Sequence, residues 1–146
     1  MPTNFLRTTA KAELAPAQQR PGPARHIVIR AGRVTIRARL LDTATANLIF
    51  AALPLHSTAE TWGQSINFEV PVETGREPGA RATIDAGEIA FWTEDDRIVI
   101  GFGPTPLSKG AEIRLAKRCN VWAIALDPVT PLKSVVAGEK VSVHAG

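Results

Sequence analysis

The sequence predicts a mainly β protein of one domain, a barrel or sandwich whose ends are covered by two helices. Three observations carry this expectation. Six to eight runs alternate apolar and polar residues with period two at short spacing. Only two stretches have the period and punctuation of helices. No internal similarity with a period of roughly 20 to 50 residues is visible, which excludes a propeller or solenoid.

The elements follow in order. Residues 26–30 and 34–40, separated by Ala31, Gly32 and Arg33, read as a hairpin with a short glycine-containing turn. Residues 43–53 read as a helix: Asp42 is a candidate N-cap, Ala46, Leu48, Ile49, Ala52 and Leu53 fall close to one side, and Pro54 ends it. Residues 65–70 form a strand with Ile66, Phe68 and Val70 on one face and Asn67 and Glu69 on the other, stopped by Pro71. Residues 87–94 and 97–103 form a second hairpin whose turn carries Glu94, Asp95 and Asp96. Residues 120–126 are apolar on both faces and predict a central strand. A short helix over 131–136 starts after Thr130 and stops before Gly138, and residues 139–145 close the chain as a strand. Ile66, Phe68, Ile98, Ile100, Phe102 and Val121 are the expected core.

Composition narrows the class. The 146 residues are 45% hydrophobic and 21% charged, with a mean hydropathy of +0.01, enough for a core without disulfides or a structural metal. Cys119 has no partner for an internal bridge, and three histidines (His26, His56, His144) without C-x-x-C or H-x-x-x-H spacing predict no metal site. No apolar run reaches the ~18 residues of a membrane span, and no signal-like apolar segment follows Met1, so the expectation is a cytoplasmic protein without membrane contact.

The net charge of +3 conceals an asymmetry: residues 1–39 carry eight Lys/Arg against one acid, residues 40–146 nine against thirteen. Arg30, Arg33, Arg37 and Arg39 interleave with Ile29, Val34, Ile36 and Leu40, so this charge reads as the solvated face of a sheet and not as a nucleic-acid surface. Residues 1–24, with Pro2, Pro16, Pro21 and Pro23 and little periodicity, read as a flexible or partner-ordered arm through which the chain would form a homo-oligomer; residues 25–146 are the barrel domain.

An ordered series of motifs carries a resemblance over residues 25–146: Leu53-Pro54-Leu55, Thr61-Trp62-Gly63, Ile66-Asn67-Phe68-Glu69-Val70-Pro71-Val72, Gly87-Glu88-Ile89-Ala90-Phe91-Trp92, and Gly101-Phe102-Gly103-Pro104-Thr105-Pro106 with Ser108. In these the chain resembles the small prokaryotic cyclophilin-like proteins, a family whose function is not established. The resemblance implies a closed antiparallel cyclophilin-like barrel capped by two helices. A shared barrel does not by itself carry chemistry from one protein to another.

Cyclophilin-type isomerisation needs an arginine beside an aromatic-lined pocket, where the cation favours the twisted prolyl amide over the planar one against a barrier of ~18–20 kcal/mol. In cyclophilins that arginine lies in a Phe-His-Arg strand motif, whereas the nearest segment here, Trp62 to Phe68, contains neither histidine nor arginine. Arg114 is the candidate substitute cation. The ligand-binding candidates are Trp62, Gln64, Phe68, Trp92 and Phe102, expected to rim one aromatic groove.

Other constellations fare worse. Gly101 to Pro106 lacks the G-K-[ST] ending of a phosphate loop, and Ser108, Ser134 and Ser142 lie in no G-x-S-x-G setting. His56 reads as exposed, and Asp95 and Asp96 as a solvated turn. Cys119, beside Lys117 and Arg118 but at the start of a buried strand, reads as an inert thiol. Two functions remain: a module that binds a peptide or small apolar ligand without chemistry or cofactor, favoured by the missing arginine, and a divergent prolyl isomerase using Arg114.

Overall fold

The computed structural model describes residues 21–146, with side chains from residue 25 onward; the expected arm lies outside the described residues over 1–20, as does its role in oligomerisation, and residues 21–24 begin the first strand. The strands are β1 (Pro21–Ala31), β2 (Val34–Leu41), β3 (Leu55–Thr58), β4 (Glu60–Thr61), β5 (Ser65–Glu69), β6 (Arg81–Ile84), β7 (Glu88–Trp92), β8 (Arg97–Gly101), β9 (Ile113–Ala125) and β10 (Lys140–Ala145). They are joined antiparallel in the order β3-β10-β1-β2-β9-β7-β8-β5-β4, with β6 paired only to β9. The two ends of that order, β3 and β4, are consecutive in the chain, and Ala59 between them exchanges backbone hydrogen bonds with the 138–139 turn. A nearly closed barrel results, as a period-two chain with its inner face apolar requires.

Inside it, Ile27, Ile36, Phe68, Phe91, Ile100 and Trp122 are sealed from solvent. The polar alternates face out: Arg30, Thr35 and Arg37 are exposed on β1 and β2. Of the expected core, Ile66, Phe68, Ile98 and Ile100 are fully buried in the barrel, while Phe102 and Val121 are only half-buried. Phe102 lies just past the end of β8, and Val121 points to the outer face, which has its own apolar cluster.

One α-helix, α1 (Ala44–Ala52), covers one end of the barrel with Thr45, Ala46 and Ile49. Its N-cap is Thr43, whose hydroxyl accepts from the Ala46 N–H at 3.0 Å, and not Asp42. The hydroxyl at Thr43 reaches the N3 amide, which a side chain one residue earlier does not. Leu48, expected on the buried side, is exposed. The second expected helix is a single 3-10 turn, Thr130–Ser134, anchored by buried Leu132; five residues are too few for an α-helix to nucleate.

β9 is longer than the apolar run 120–126 predicts. Its second half lies between β2 and β7, and residues 113–119 pair instead with β6. A register shift sets Arg81 opposite Cys119 but Thr83 opposite Arg114, and this bulge leaves Ala116, Lys117 and Arg118 exposed. Asn120 marks the change of partner. Its buried amide accepts from the Glu77 N–H at 2.8 Å and donates to the Thr45 hydroxyl and the Gly75 carbonyl at 3.0 Å each. The Glu77 carboxylate takes the Thr45 N–H and hydroxyl at 3.0 and 2.5 Å, so the 71–80 loop is tied to the first turn of α1.

Where β9 ends, Asp127 is gripped by Arg37: one carboxylate oxygen accepts the Arg37 backbone N–H at 2.8 Å and Nε at 3.1 Å, the other accepts Nη2 at 2.8 Å. The Arg37 side chain, and then its backbone N–H, hold the Asp127 carboxyl down at about 2. A folded pKa below the unfolded value of about 3.9 means the stabilisation is present above roughly pH 4 and is lost as pH falls toward 2.

Two expectations follow. Phe68→Ala should lower stability by ~3–5 kcal/mol, measured by chemical denaturation, because it opens a cavity inside the barrel; a loss under about 1 kcal/mol would contradict this packing. In Asp127→Asn the urea midpoint should fall less steeply than in the parent between about pH 4 and pH 2, and an unchanged slope would mean the Arg37 grip does not differ between folded and unfolded chains.

Candidate functional site

Alternation leaves a second set of side chains on the outside of β5, β7 and β8, and these are not all in water. Ile84, Ile113, Leu115 and Cys119, from β6 and the first half of β9, lie over Ala90 and Val99 as a small outer core, with Trp92 and Val121 packed against it. The covering is incomplete beside β4. There a cleft of 310 Å³ opens, with Asn67, Trp92 and Val99 on its sheet side, Leu115 and Cys119 on its β9 side, and Trp62 from the turn after β4. This is at the small end of ligand-site volumes, matching one ring-sized group.

Trp62 is held there by its neighbours. Its backbone N–H donates to the Ser65 carbonyl at 3.1 Å, and the buried Ser65 hydroxyl donates back to the Trp62 carbonyl at 2.6 Å. Gly63 follows with φ +58, and a Cβ at that position would stand 2.7 Å from the Thr105 Cα. Only glycine fits both the left-handed turn and this approach. Gln64 locks the same contact: its N–H donates to the Pro104 carbonyl, and its own carbonyl accepts from Phe102 and Gly103.

The five expected ligand-binding residues do not form one groove. Trp62 and Trp92 come together at the cleft. Phe68 is sealed in the barrel, because on β5 it alternates with Asn67, and it is Asn67 that faces the cleft. Phe102 lines a different, more polar cleft of 410 Å³ with Arg81, Asp85 and Glu112. Gln64 is exposed, with its side chain against Gly103, and serves the turn.

Arg114 lines neither cleft. Its Nε donates to Glu112 at 2.7 Å, and its backbone N–H and carbonyl are engaged by Ser108 and Thr105. The motif around Thr105 and Ser108 thus clamps the start of β9, and the guanidinium is committed to Glu112. An arginine that the sequence did not single out stands nearer the cleft: Arg97 Nη1 donates to the Asn67 Oδ1 at 3.0 Å, and its Nε to Asp95 at 2.8 Å.

Two buried indole N–H groups have no hydrogen-bond partner among the described residues, those of Trp92 and Trp122. Trp122 is enclosed in the barrel core, whereas the Trp92 ring borders the open cleft with its indole nitrogen sealed from solvent. Burial, reinforced by the charge of Glu94, pushes the Cys119 thiol up to about 12. It is therefore a protonated, apolar wall of the cleft at neutral pH. His56 and His144 pack edge to face at 5.7 Å on the far strands β3 and β10. Among the described residues no three His, Cys, Asp or Glu side chains stand close enough to hold a metal ion, and no helix is long and apolar enough to cross a membrane.

The fold and the cleft define a cyclophilin-type barrel with a small aromatic recess on its outer sheet face. The chain belongs to the cyclophilin-like family, whose model matches residues 25–144. Among solved structures it is similar to the hypothetical protein AF2241 from Archaeoglobus fulgidus, at 30% identity and a TM-score of 0.73 over 84% of this chain and 95% of that one. It is also similar to McbB in complex with tryptophan, at 12% identity and a TM-score of 0.58, over 81% of this chain but only 44% of that one; at this identity the likeness is one of fold. No curated protein matches the chain.

At pH 8 Cys119 should react with iodoacetamide on the order of a thousandfold more slowly in the folded protein than in urea, because the neutral thiol is not the nucleophile. Equal rates would show a thiolate open to the cleft.

Proposed function

We propose that this protein is a binding module that holds one apolar, ring-sized group, on a small molecule or a peptide, in the cleft between Trp62 and Trp92, without chemistry. The observation that carries this reading is the recess itself, open between Trp62 and Trp92 and walled by Val99, Leu115 and Cys119. Burying an apolar ring against these walls gains roughly 25 cal/mol per Å² of apolar surface removed from water. The rest of the lining supports binding over reaction: it offers no base and no cation, and its one thiol is held protonated.

Divergent prolyl isomerisation has one observation in its favour, an arginine one hydrogen bond from the cleft at Arg97, since Arg114 is engaged by Glu112. In that reading the Arg97 guanidinium would have to release Asp95 or Asn67 to reach a prolyl amide.

The test is a titration with indole and with a proline-containing tetrapeptide, followed by amide and indole NMR resonances. Saturable shifts confined to residues around Trp62, Trp92 and Leu115 are expected, with a Kd of roughly 0.1–1 mM, about −4 to −5.5 kcal/mol for so small a recess. Trp62→Ala should weaken binding about tenfold. Absence of any shift would sink the reading, and prolyl isomerase turnover abolished by Arg97→Ala would replace it with the enzyme.

A further inference from the structure

A larger cleft than either of those above, of 730 Å³, opens where β2 runs into α1. Leu41, Val121 and Ile124 give it an apolar lining, and Ala44 from the first turn of α1 stands at its margin. One helical turn beyond Ala44, on the same side of α1, Leu48 is exposed and extends that margin. The charge around the cleft is lopsided. Asp42, Glu77 and Glu88 line it against one base, Arg81, which is itself paired with Glu88 at 2.5 Å. Glu77 is engaged by Thr45, so the exposed carboxylate of Asp42 is the charge presented at the mouth.

The described chain begins beside this cleft. Pro21, the first residue of β1, pairs with Leu41, the last of β2. The same antiparallel register continued by one residue sets Arg20 opposite Asp42. A residue that precedes proline is biased toward extended backbone, which is the conformation this continuation needs. Residues 1–20 carry Arg7, Lys11 and Arg20 against Glu13 alone, the opposite sign to the cleft, and Leu14-Ala15-Pro16-Ala17 is an apolar run just upstream of Arg20. The reach is sufficient. β9, which carries Val121 and Ile124, lies two strand spacings or about 10 Å from β1, and six extended residues span ~20 Å.

We infer that the occupant of this cleft is the chain's own segment 14–20, with Arg20 on Asp42 and Leu14 to Ala17 over Leu41, Val121 and Ile124. This goes beyond the recess between Trp62 and Trp92 and does not rest on it. Because the segment joins Pro21 directly, its effective concentration at the cleft is on the order of millimolar, so a contact too weak to hold a free peptide suffices. The same segment of a second copy lacks that advantage.

Methyl NOE spectra of the full chain test this. Cross-peaks from the Leu14 and Ala17 methyls to those of Leu41, Val121 and Ile124 are expected, and they should be absent from the isotope-filtered spectrum of a mixture of labelled and unlabelled chains. Asp42→Lys and Arg20→Glu should each weaken them about threefold, as for loss of an exposed ion pair. The two changes combined should restore them, and about 1 M salt should weaken them in the parent. Cross-peaks in the filtered spectrum overturn the inference in favour of a second copy. Absence of any cross-peak from the segment to the three lining methyls, in a chain whose amide spectrum is that of a folded barrel, overturns it outright, and so do contacts indifferent to both charge changes and to salt.

Discussion

The buried amide of Asn120 is the point on which the rest of the structure hangs. β9 must serve two sheets, closing the barrel between β2 and β7 with one half and lying over the outside of the barrel with the other. A strand that changes partners exposes backbone and loop groups at the junction, and buried polar groups without partners are expensive. Asn120 meets this requirement with both ends of its side chain, taking the Glu77 N–H and giving to Thr45 and Gly75. The same three contacts seat the 71–80 loop on α1. Helix, loop and strand crossing are therefore one connected polar unit in an otherwise apolar interior.

From that crossing follows the existence of a recess. Because residues 113–119 leave the barrel, the outer face of β7 and β8 is covered and acquires a small apolar core of its own. Because β6 is only four residues long and pairs with β9 alone, the cover stops short of β4, and Trp62 stands at the gap. The aromatic character of the gap comes from Trp62, in the turn after β4, and from Trp92, the last residue of β7. Gly63 allows Trp62 to stand beside the 104–106 loop, and Trp92 ends β7 just before the charged turn in which Asp96 takes a left-handed conformation. Asp96 also gives its carbonyl to the Val70 N–H, so the turn is fastened to the end of β5.

The period-two strands were legible because alternation is a local property: β1, β2, β5, β7, β8 and β10 lie within a few residues of where the sequence predicts them. The missed strands are informative. β3, β4 and β6 contain two to four residues each, too few for a pattern, and they exist only because a neighbouring strand presents a free row of hydrogen-bonding groups. The first half of β9 alternates only over Ile113, Arg114 and Leu115, too short a run to read as a strand, before its bulge turns Ala116, Lys117 and Arg118 to solvent. Asn120 was hidden inside an apolar run, and its partners are 43, 45 and 75 residues away.

For the candidate site the division falls in the same place. The sequence by itself determined a mainly β fold, the opposed faces of β5 and the place of Trp62 at the entry to a strand, because each depends on residues adjacent in the chain. Only the tertiary structure decided which aromatics meet. Trp62 and Trp92, 30 residues apart, share the outer cleft, while Phe68 faces the opposite side of the sheet and Phe102 belongs to a separate recess. It also decided which cation matters near the cleft, joining Arg97 to Asn67 and Arg114 to Glu112. Side-chain direction along a strand is set by a residue's own parity, but what it meets there is set by sheet order and by the path of β9, and these are fixed only when the whole barrel closes.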